Sequence, residues 1–240
     1  EIEILSTLRG CPFVIHISSL DTDIRYKPAV PLLVMALAVH GSLRDFSFSD
    51  EDTNETGNEE DNITFEIRLL ILILDMALQV AHGLSFAHSK GVIHADVKPD
   101  NVLVMEKREV DGLSFQLLHV NLCDFNISGK AAKMVCNDDS DKGSEGGHED
   151  KKAGRGTEGY RAPEQEEQGG EVTPKTDVWG LSSLIIYMMN RQKLWTSVDA
   201  TVRDKLDEFL NRCRVVDPEQ RADMTYALQE LTRLMQQVCE

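Results

Sequence analysis

The sequence is short of basic residues: 25 Lys+Arg stand against 41 Asp+Glu, a formal net charge of −16 over 240 residues. A field of that sign repels phosphate backbones and anionic lipid, so neither a nucleic-acid binder nor a membrane-surface protein is expected. Cysteine is scarce as well. Cys11, Cys123, Cys136, Cys213 and Cys239 are odd in number, scattered, and form no Cys-x-x-Cys pair. This argues against a disulfide framework or a zinc cluster and suits a reducing compartment, cytoplasmic or nuclear. Glycine (16) and proline (7) are too few for a fibrous or wholly disordered chain. Long hydrophobic runs are missing: the most apolar, Leu69–Leu74, is far too short to span a bilayer. No secretory signal opens the chain, which begins at Glu1 in mid-pattern and reads as a fragment.

What is present suffices for one substantial domain, with 41% hydrophobic and 28% charged residues. Two stretches break the globular texture. Residues 50–61 hold seven acidic residues and no basic or apolar ones, and residues 137–152 hold six acidic and three basic. Both read as solvated surface insertions or, on a sharper reading, as regulatory or partner-binding loops, with Ser140 and Ser144 as acidic-context phosphorylation sites and a basic partner as the chemistry they suit. Together they carry −10 of the −16, so the acidity belongs mainly to the insertions.

Elsewhere the pattern is regular. A short helix is expected from Glu1 to Leu8, and strands at Phe13–Ile17 and Pro31–Leu37, the second buried because it is almost wholly apolar. A long apolar helix over 65–89 closes at Gly91. Short strand-like runs follow at Val102–Val104 and Phe115–Leu122. Thr173 and Pro174 open another apolar helix over 174–190. Amphipathic helices cover 201–213 and 222–238. Strands followed by a helix-rich body predict an α+β fold.

The most informative stretch is 91–104, GVIHADVKPDNVLV, in a loop between a helix and a strand. Asp96 is placed to accept or orient a hydroxyl proton. Lys98 can neutralise charge on a transferring phosphoryl group, and Asn101 offers a hard oxygen suited to Mg²⁺. Asp124, after a short apolar strand, is a natural second Mg²⁺ ligand. These are the parts phosphoryl transfer needs. Further on stand GTEGYRAPE (156–164), TDVWG (176–180) and DPEQR (217–221).

In this order the motifs resemble the eukaryotic protein kinase family, from the middle of its small lobe to the end of its large lobe. HADVKPDN is similar to H-R-D-x-K-x-x-N, DFN to D-F-G, and RAPE to A-P-E. The resemblance implies a partial small lobe over 1–37 and a large lobe over 38–240. It implies ATP and Mg²⁺ as cofactors and Ser/Thr hydroxyls of proteins as substrate, with Lys98 favouring the serine/threonine type. Asp96 becomes the catalytic base, Lys98 the γ-phosphate contact, and Asn101 and Asp124 the Mg²⁺ ligands. Thr157 sits near the base in the substrate loop, and Asp177 holds the catalytic-loop backbone. Glu164 pairs with Arg221. Glu1 aligns with the helix glutamate of the small lobe. Met35 is the gatekeeper, Ala36 to Ala38 the hinge that meets adenine, and Leu103 the floor under it. Leu5, Ile17, His94 and Phe125 stack as a spine.

Several departures carry consequences. Ala95 stands where the family has an arginine that meets a phosphorylated activation loop, so activity independent of such phosphorylation is expected. Asn126 replaces the glycine of D-F-G; Asn reaches left-handed conformations at modest cost. The family's glycine-rich loop and strand lysine lie upstream of the glutamate at which this chain starts, so the fragment alone should transfer phosphate poorly. The string G-R-G-T-E-G (154–159) follows a charged loop and runs into Pro163, the wrong context for a phosphate cradle. Two rival readings are a pseudokinase scaffold and a small-molecule phosphotransferase of the same fold. Retention of Asp96, Lys98, Asn101 and Asp124 argues against the first, and the Ala162–Glu164 docking segment against the second. Cys123 reads as a packing thiol, or else as one facing the nucleotide.

Overall fold

The structure is a computed structural model that describes residues 1–20, 33–48, 59–108, 117–125, 129–130, 156–167 and 170–239. Asn126 and the 137–152 insertion lie outside the described residues.

Helix α1 (Ile2–Thr7) buries Leu5, and a two-stranded antiparallel ribbon follows, β1 (Ile17–Leu20) with β2 (Leu33–Met35). Then comes the long helix α2 (Glu59–Ser89). Short strand β3 (Val92–Ile93) pairs with β6 (Gly129–Lys130), and β4 (Val102–Arg108) pairs with β5 (Leu117–Leu122). The body is completed by α3 (Pro163–Glu166), α4 (Pro174–Arg191), α5 (Ala200–Cys213) and α6 (Met224–Cys239). Helices with small antiparallel sheets make the α+β arrangement the sequence predicts.

Helix α2 organises the core. It packs against α6, β5 and α4, which bury Leu72, Ile73, Met76, Val80 and Leu84. Residues 65–89 are long and apolar enough to cross a bilayer by length and composition, more than Leu69–Leu74 alone suggests, but most of that length is buried inside the protein. The chain leaves the helix through Gly91 at φ 72°, a left-handed turn that glycine takes without steric cost. It delivers β3 and then the catalytic loop.

Three expectations need correction. The end of the first acidic stretch, Glu59 to Asp61, is helical rather than loop. Carboxylates in a first turn face the positive end of the helix dipole, so acidic composition there favours helix. Residues 13–16 form no regular strand. Val14 bridges Leu122 singly, the Ile15 N–H donates to the Leu122 carbonyl at 2.8 Å, and β1 begins only at Ile17. Residues 31 and 32 lie outside the described residues, and further along that stretch burial fails: Val34, Met35 and Leu37 are 44, 43 and 82% exposed. Among the described residues β2 pairs only with β1, and a two-stranded ribbon has no second layer to cover both faces.

Candidate active site

The loop between β3 and β4 hangs from helix α4. Thr173 caps that helix: its Oγ1 accepts from the Lys175 N–H at 3.3 Å, and Pro174 supplies the preset φ of a first turn. The next residues fall on two faces. Asp177 points into the core, fully buried, and its Oδ2 and Oδ1 accept the backbone N–H of His94 (2.9 Å) and Ala95 (2.7 Å). His88, at the end of α2, brings Nε2 to 2.7 Å from the same carboxylate. Burial alone would raise the Asp177 carboxyl, but the His88 bond and the His94 contact more than offset it and hold it below the usual range. Gly180, one turn on, lets α4 approach the loop closely. A Cβ there would lie 2.8 Å from the Val97 Cβ.

Thus anchored, the loop turns. Ala95 takes φ 66°, a left-handed conformation that costs an L-residue about 1 kcal/mol. The Asp96 N–H donates to His94 Nδ1 at 3.2 Å, and His94 Nε2 lies 3.0 Å from the Cys123 carbonyl. Both bonds are made only by the tautomer protonated at Nε2. The His94 ring is fully buried and meets Phe125 at 4.6 Å between centroids. With Leu5 and Ile17 also buried, all four spine residues are interior.

Asp96 collects donors from three directions. Lys98 Nζ reaches Oδ2 at 2.7 Å, and Thr157 gives Oδ1 its backbone N–H and its Oγ1, each at 2.9 Å. Asn101 Nδ2 donates to the Asp96 carbonyl at 2.9 Å and to Oδ2 at 3.1 Å. Lys98 also donates to Thr157 Oγ1 at 2.6 Å. Half-burial pushes the Asp96 carboxyl up, yet the Lys98 and Thr157 bonds outweigh it and keep it below its ordinary value. It is therefore an anion at neutral pH.

Asn101 ends a tight turn, Pro99–Asn101, where β4 begins, and its carbonyl accepts the Cys123 N–H at 3.0 Å. Because Val102 faces Leu122 across the β4–β5 pair, Asn101 and Asp124 flank the same end of the ribbon. Asn101 turns its amide nitrogen to Asp96, so its carbonyl oxygen is the end left for a ligand. An amide oxygen and a carboxylate are a hard-oxygen pair, the donor set Mg²⁺ takes alongside phosphate oxygens. Asp124 sits at φ 59°. Among the described residues no group of three or more His, Cys, Asp or Glu forms a metal cage.

Glu1, exposed at the start of α1, faces this end of the sheet. Burial first, then the Asp124 and Glu1 charges, push the Cys123 thiol up to about 12. Such a thiol stays protonated at neutral pH, and it packs, partly buried, against the core. Met35 ends β2. The Ala36 N–H donates to the His16 carbonyl at 3.0 Å, and the Ala38 carbonyl accepts from Gly41 at 3.3 Å. Among the described residues no backbone bond takes the Ala36 carbonyl or the Ala38 N–H. Leu103, partly buried on β4, pairs with Asn121 and bridges Ser42.

The docking segment is fixed by a buried ion pair. Arg221 Nη1 and Nη2 grip Glu164 Oε1 and Oε2 at 2.7 and 2.8 Å, and Thr176 Oγ1 donates to Oε1 at 2.9 Å. Three backbone carbonyls, of Lys175, Val215 and Val216, take the remaining Arg221 hydrogens. Burial opposes the Glu164 charge, and Arg221 overrides it. Gln165 ties the segment to the loop, donating to the Ala95 carbonyl at 2.7 Å. The described part of the G-R-G-T-E-G string, residues 156–159, contributes turns, with Gly156 and Gly159 at φ 92° and 87°.

A family model described as the protein kinase domain matches residues 1–240. The chain belongs to the protein kinase family. It is 29% identical over 128 residues to the serine/threonine-protein kinase BCK1/SLK1/SSP31 of Saccharomyces cerevisiae, covering 53% of this chain and 7% of that one. It is 28% identical over 199 residues to the serine/threonine-protein kinase STE20 of Kluyveromyces lactis, covering 73% and 17%. It is 33% identical over 115 residues to the MAP kinase kinase MKK1/SSP32 of Saccharomyces cerevisiae, covering 48% and 18%. The matched region is thus less than a fifth of each relative's length.

His88 and Gln165 were not singled out by sequence reasoning. His88 looks like a basic residue closing a helix, and only its spacing of six before His94 hints that both meet Asp177.

Proposed function

We propose that this protein transfers the γ-phosphoryl group of ATP to serine or threonine hydroxyls of other proteins. The observation that carries the reading is the closed constellation of Asp96, Lys98, Thr157 and Asn101, in which a single carboxylate is held by donors from the loop and the substrate segment. A carboxylate kept below its usual range is a weak base. Asp96 therefore orients the incoming hydroxyl and receives its proton late, as a loose phosphoryl-transfer transition state requires. Lys98 stabilises charge on the transferring group. Asn101 and Asp124 would hold Mg²⁺, which supplies charge neutralisation to the phosphates when bound. The Ala36 carbonyl and Ala38 N–H offer one acceptor and one donor, the pair an adenine edge needs, with Leu103 beneath.

The acidic stretches 50–61 and 137–152 suit a basic partner. The odd, scattered set of five cysteines suits a reducing compartment.

The test is transfer from labelled ATP by the natural full-length protein and its Asp96→Asn variant. A loss of about 10²–10⁴-fold is expected. Equal incorporation by both would sink the enzyme reading and favour a scaffold.

A further inference from the structure

Beside the catalytic carboxylate lies a cluster of two arginines and two tyrosines that the chemistry above does not use. Arg44 follows the segment after β2, and its Nε donates to Asp100 Oδ1 at 2.5 Å. Asp100 stands in the tight turn between Lys98 and Asn101. The same guanidinium contacts Tyr160, whose N–H closes a turn onto the Thr157 carbonyl at 3.1 Å. Arg44 thereby links the catalytic loop to the substrate segment at the rim of the site. Arg191, in the last turn of α4, donates from Nη1 to the carbonyls of Leu43 (3.2 Å) and Arg44 and to the Tyr187 hydroxyl at 2.9 Å. Both guanidinium carbons lie within 6 Å of the Tyr187 ring centre, at 5.7 and 5.9 Å. Tyr160 stands 6.5 Å from Tyr187.

Among the described residues only one of the two arginines is ion-paired. Asp100 answers Arg44, and Asp45, next in sequence, accepts from the Ser42 hydroxyl at 2.8 Å. Among the described residues Arg191 meets only neutral acceptors and a ring, and it is exposed. Arg44 and Asp100 are also open to solvent, at 42 and 40%. Two exposed arginines at the rim of an active site, one of them with no carboxylate partner among the described residues, are a local exception in a chain of net charge −16. Guanidinium forks recognise carboxylate and phosphate groups, and stacking on tyrosine holds them in place.

We infer that Arg191, supported by Arg44 and the Tyr160–Tyr187 pair, selects protein substrates carrying an anionic side chain near the acceptor hydroxyl. The inference rests on the kinase reading above and adds a substrate class to it. The shared ligand chemistry is an oxyanion, supplied by Asp/Glu or by a phosphorylated residue.

The experiment uses the full-length protein and one serine acceptor peptide with Glu, phosphoserine, Gln or Lys flanks. It measures kcat and KM for phosphorylation, and peptide binding by fluorescence anisotropy. Wild type should favour the Glu over the Gln peptide by about fivefold in kcat/KM, through KM, with the ratio shrinking in high salt. The phosphoserine arm shows whether the second oxyanion source is accepted. Arg191→Gln should bring the Glu/Gln ratio towards one, and Arg191→Lys, which keeps the charge, should retain most of it. A wild-type ratio of one, or a ratio unchanged in Arg191→Gln, overturns the inference while leaving the kinase reading intact. Charge-selective binding without phosphoryl transfer upholds the inference and defeats the kinase reading.

Discussion

At the catalytic loop, buried positions are held by polar groups: Asp177, Glu164 and Arg221 are 1, 6 and 2% exposed. In β2 and the segment after it, apolar positions are bare: Leu37 and Val39 are 82 and 72% exposed. The loop has almost no regular structure of its own, yet its His94 and Ala95 N–H groups find the Asp177 carboxylate brought from α4, and its Asp96 N–H finds the His94 ring. Strand β2 is hydrogen-bonded to β1, with a register shift between Ile17 and Ser19, but its Val34 and Met35 side chains are exposed. Order in the first region is carried by a few strong, irreplaceable contacts, and in the second by a ladder whose side chains matter little to folding. Stability and chemistry should therefore respond differently to substitution in the two regions.

The largest effect is expected at Glu164 and Arg221. Removing either partner leaves a buried charge uncompensated, so Glu164→Ala or Arg221→Ala should cost about 3–5 kcal/mol in denaturant unfolding. Replacing both with Met removes the stranded charge and should be milder. If the singles cost no more than the double, the pair does not hold the docking segment, and the contrast with the ribbon is lost.

Asp177 comes next. Asn has one oxygen where three donors now converge, so Asp177→Asn should cost about 3 kcal/mol through weakened bonds to His94 and Ala95. It should also alter the pH profile. The Asp177 carboxyl is depressed in the fold, so its contribution is present above the unfolded value of about 3.9 and is lost as pH falls through the lower folded value. Asp96 and Glu164 act with the same sign. Acid titration of unfolding free energy should fall less steeply below about pH 4 in the variant than in wild type.

At Gly180 the contact is steric. An added Cβ would press on Val97, and Gly180→Ala should cost about 2 kcal/mol, with part recovered in the double variant with Val97→Ala. A lower kcat at unchanged KM in Gly180→Ala would show that the spacing of α4 from the loop sets the chemistry as well as the fold.

Much of the first region was legible in the sequence, and for a physical reason. Asp96, Lys98 and Asn101 are polar residues packed tightly in sequence, and buried polar groups must be paired, so such clusters announce a site. The pairing of Glu164 with Arg221 was reachable through the family pattern. His88 and Gln165 were not, because their partners lie 89 and 70 residues away and nothing local distinguishes them from a helix end and a surface amide. The ribbon was misread for the opposite reason. Apolar composition says that a strand can be buried, not that a layer exists to bury it. In α2, by contrast, the same composition is satisfied by α4, α6 and β5. The helical start at Glu59 was hidden because acidic residues suit both a solvated loop and a first turn.

The smallest effect is expected in the ribbon and its exit, where Leu37→Ser should change unfolding free energy by less than about 0.5 kcal/mol. Leu37 is almost fully exposed, so little apolar area returns to water on substitution. The same insensitivity makes this region a clean test of the hinge. A side chain that contributes nothing to folding but borders the Ala36 carbonyl and Ala38 N–H can change nucleotide affinity only through binding. Unfolding and ATP-analogue titrations on Leu37→Ser and Met35→Ala should therefore separate, with stability flat in the first variant and affinity falling more in the second. A loss of several kcal/mol of stability in Leu37→Ser would mean that this face is covered in the folded protein, and the contrast between the two regions would be one of sequence length rather than of construction.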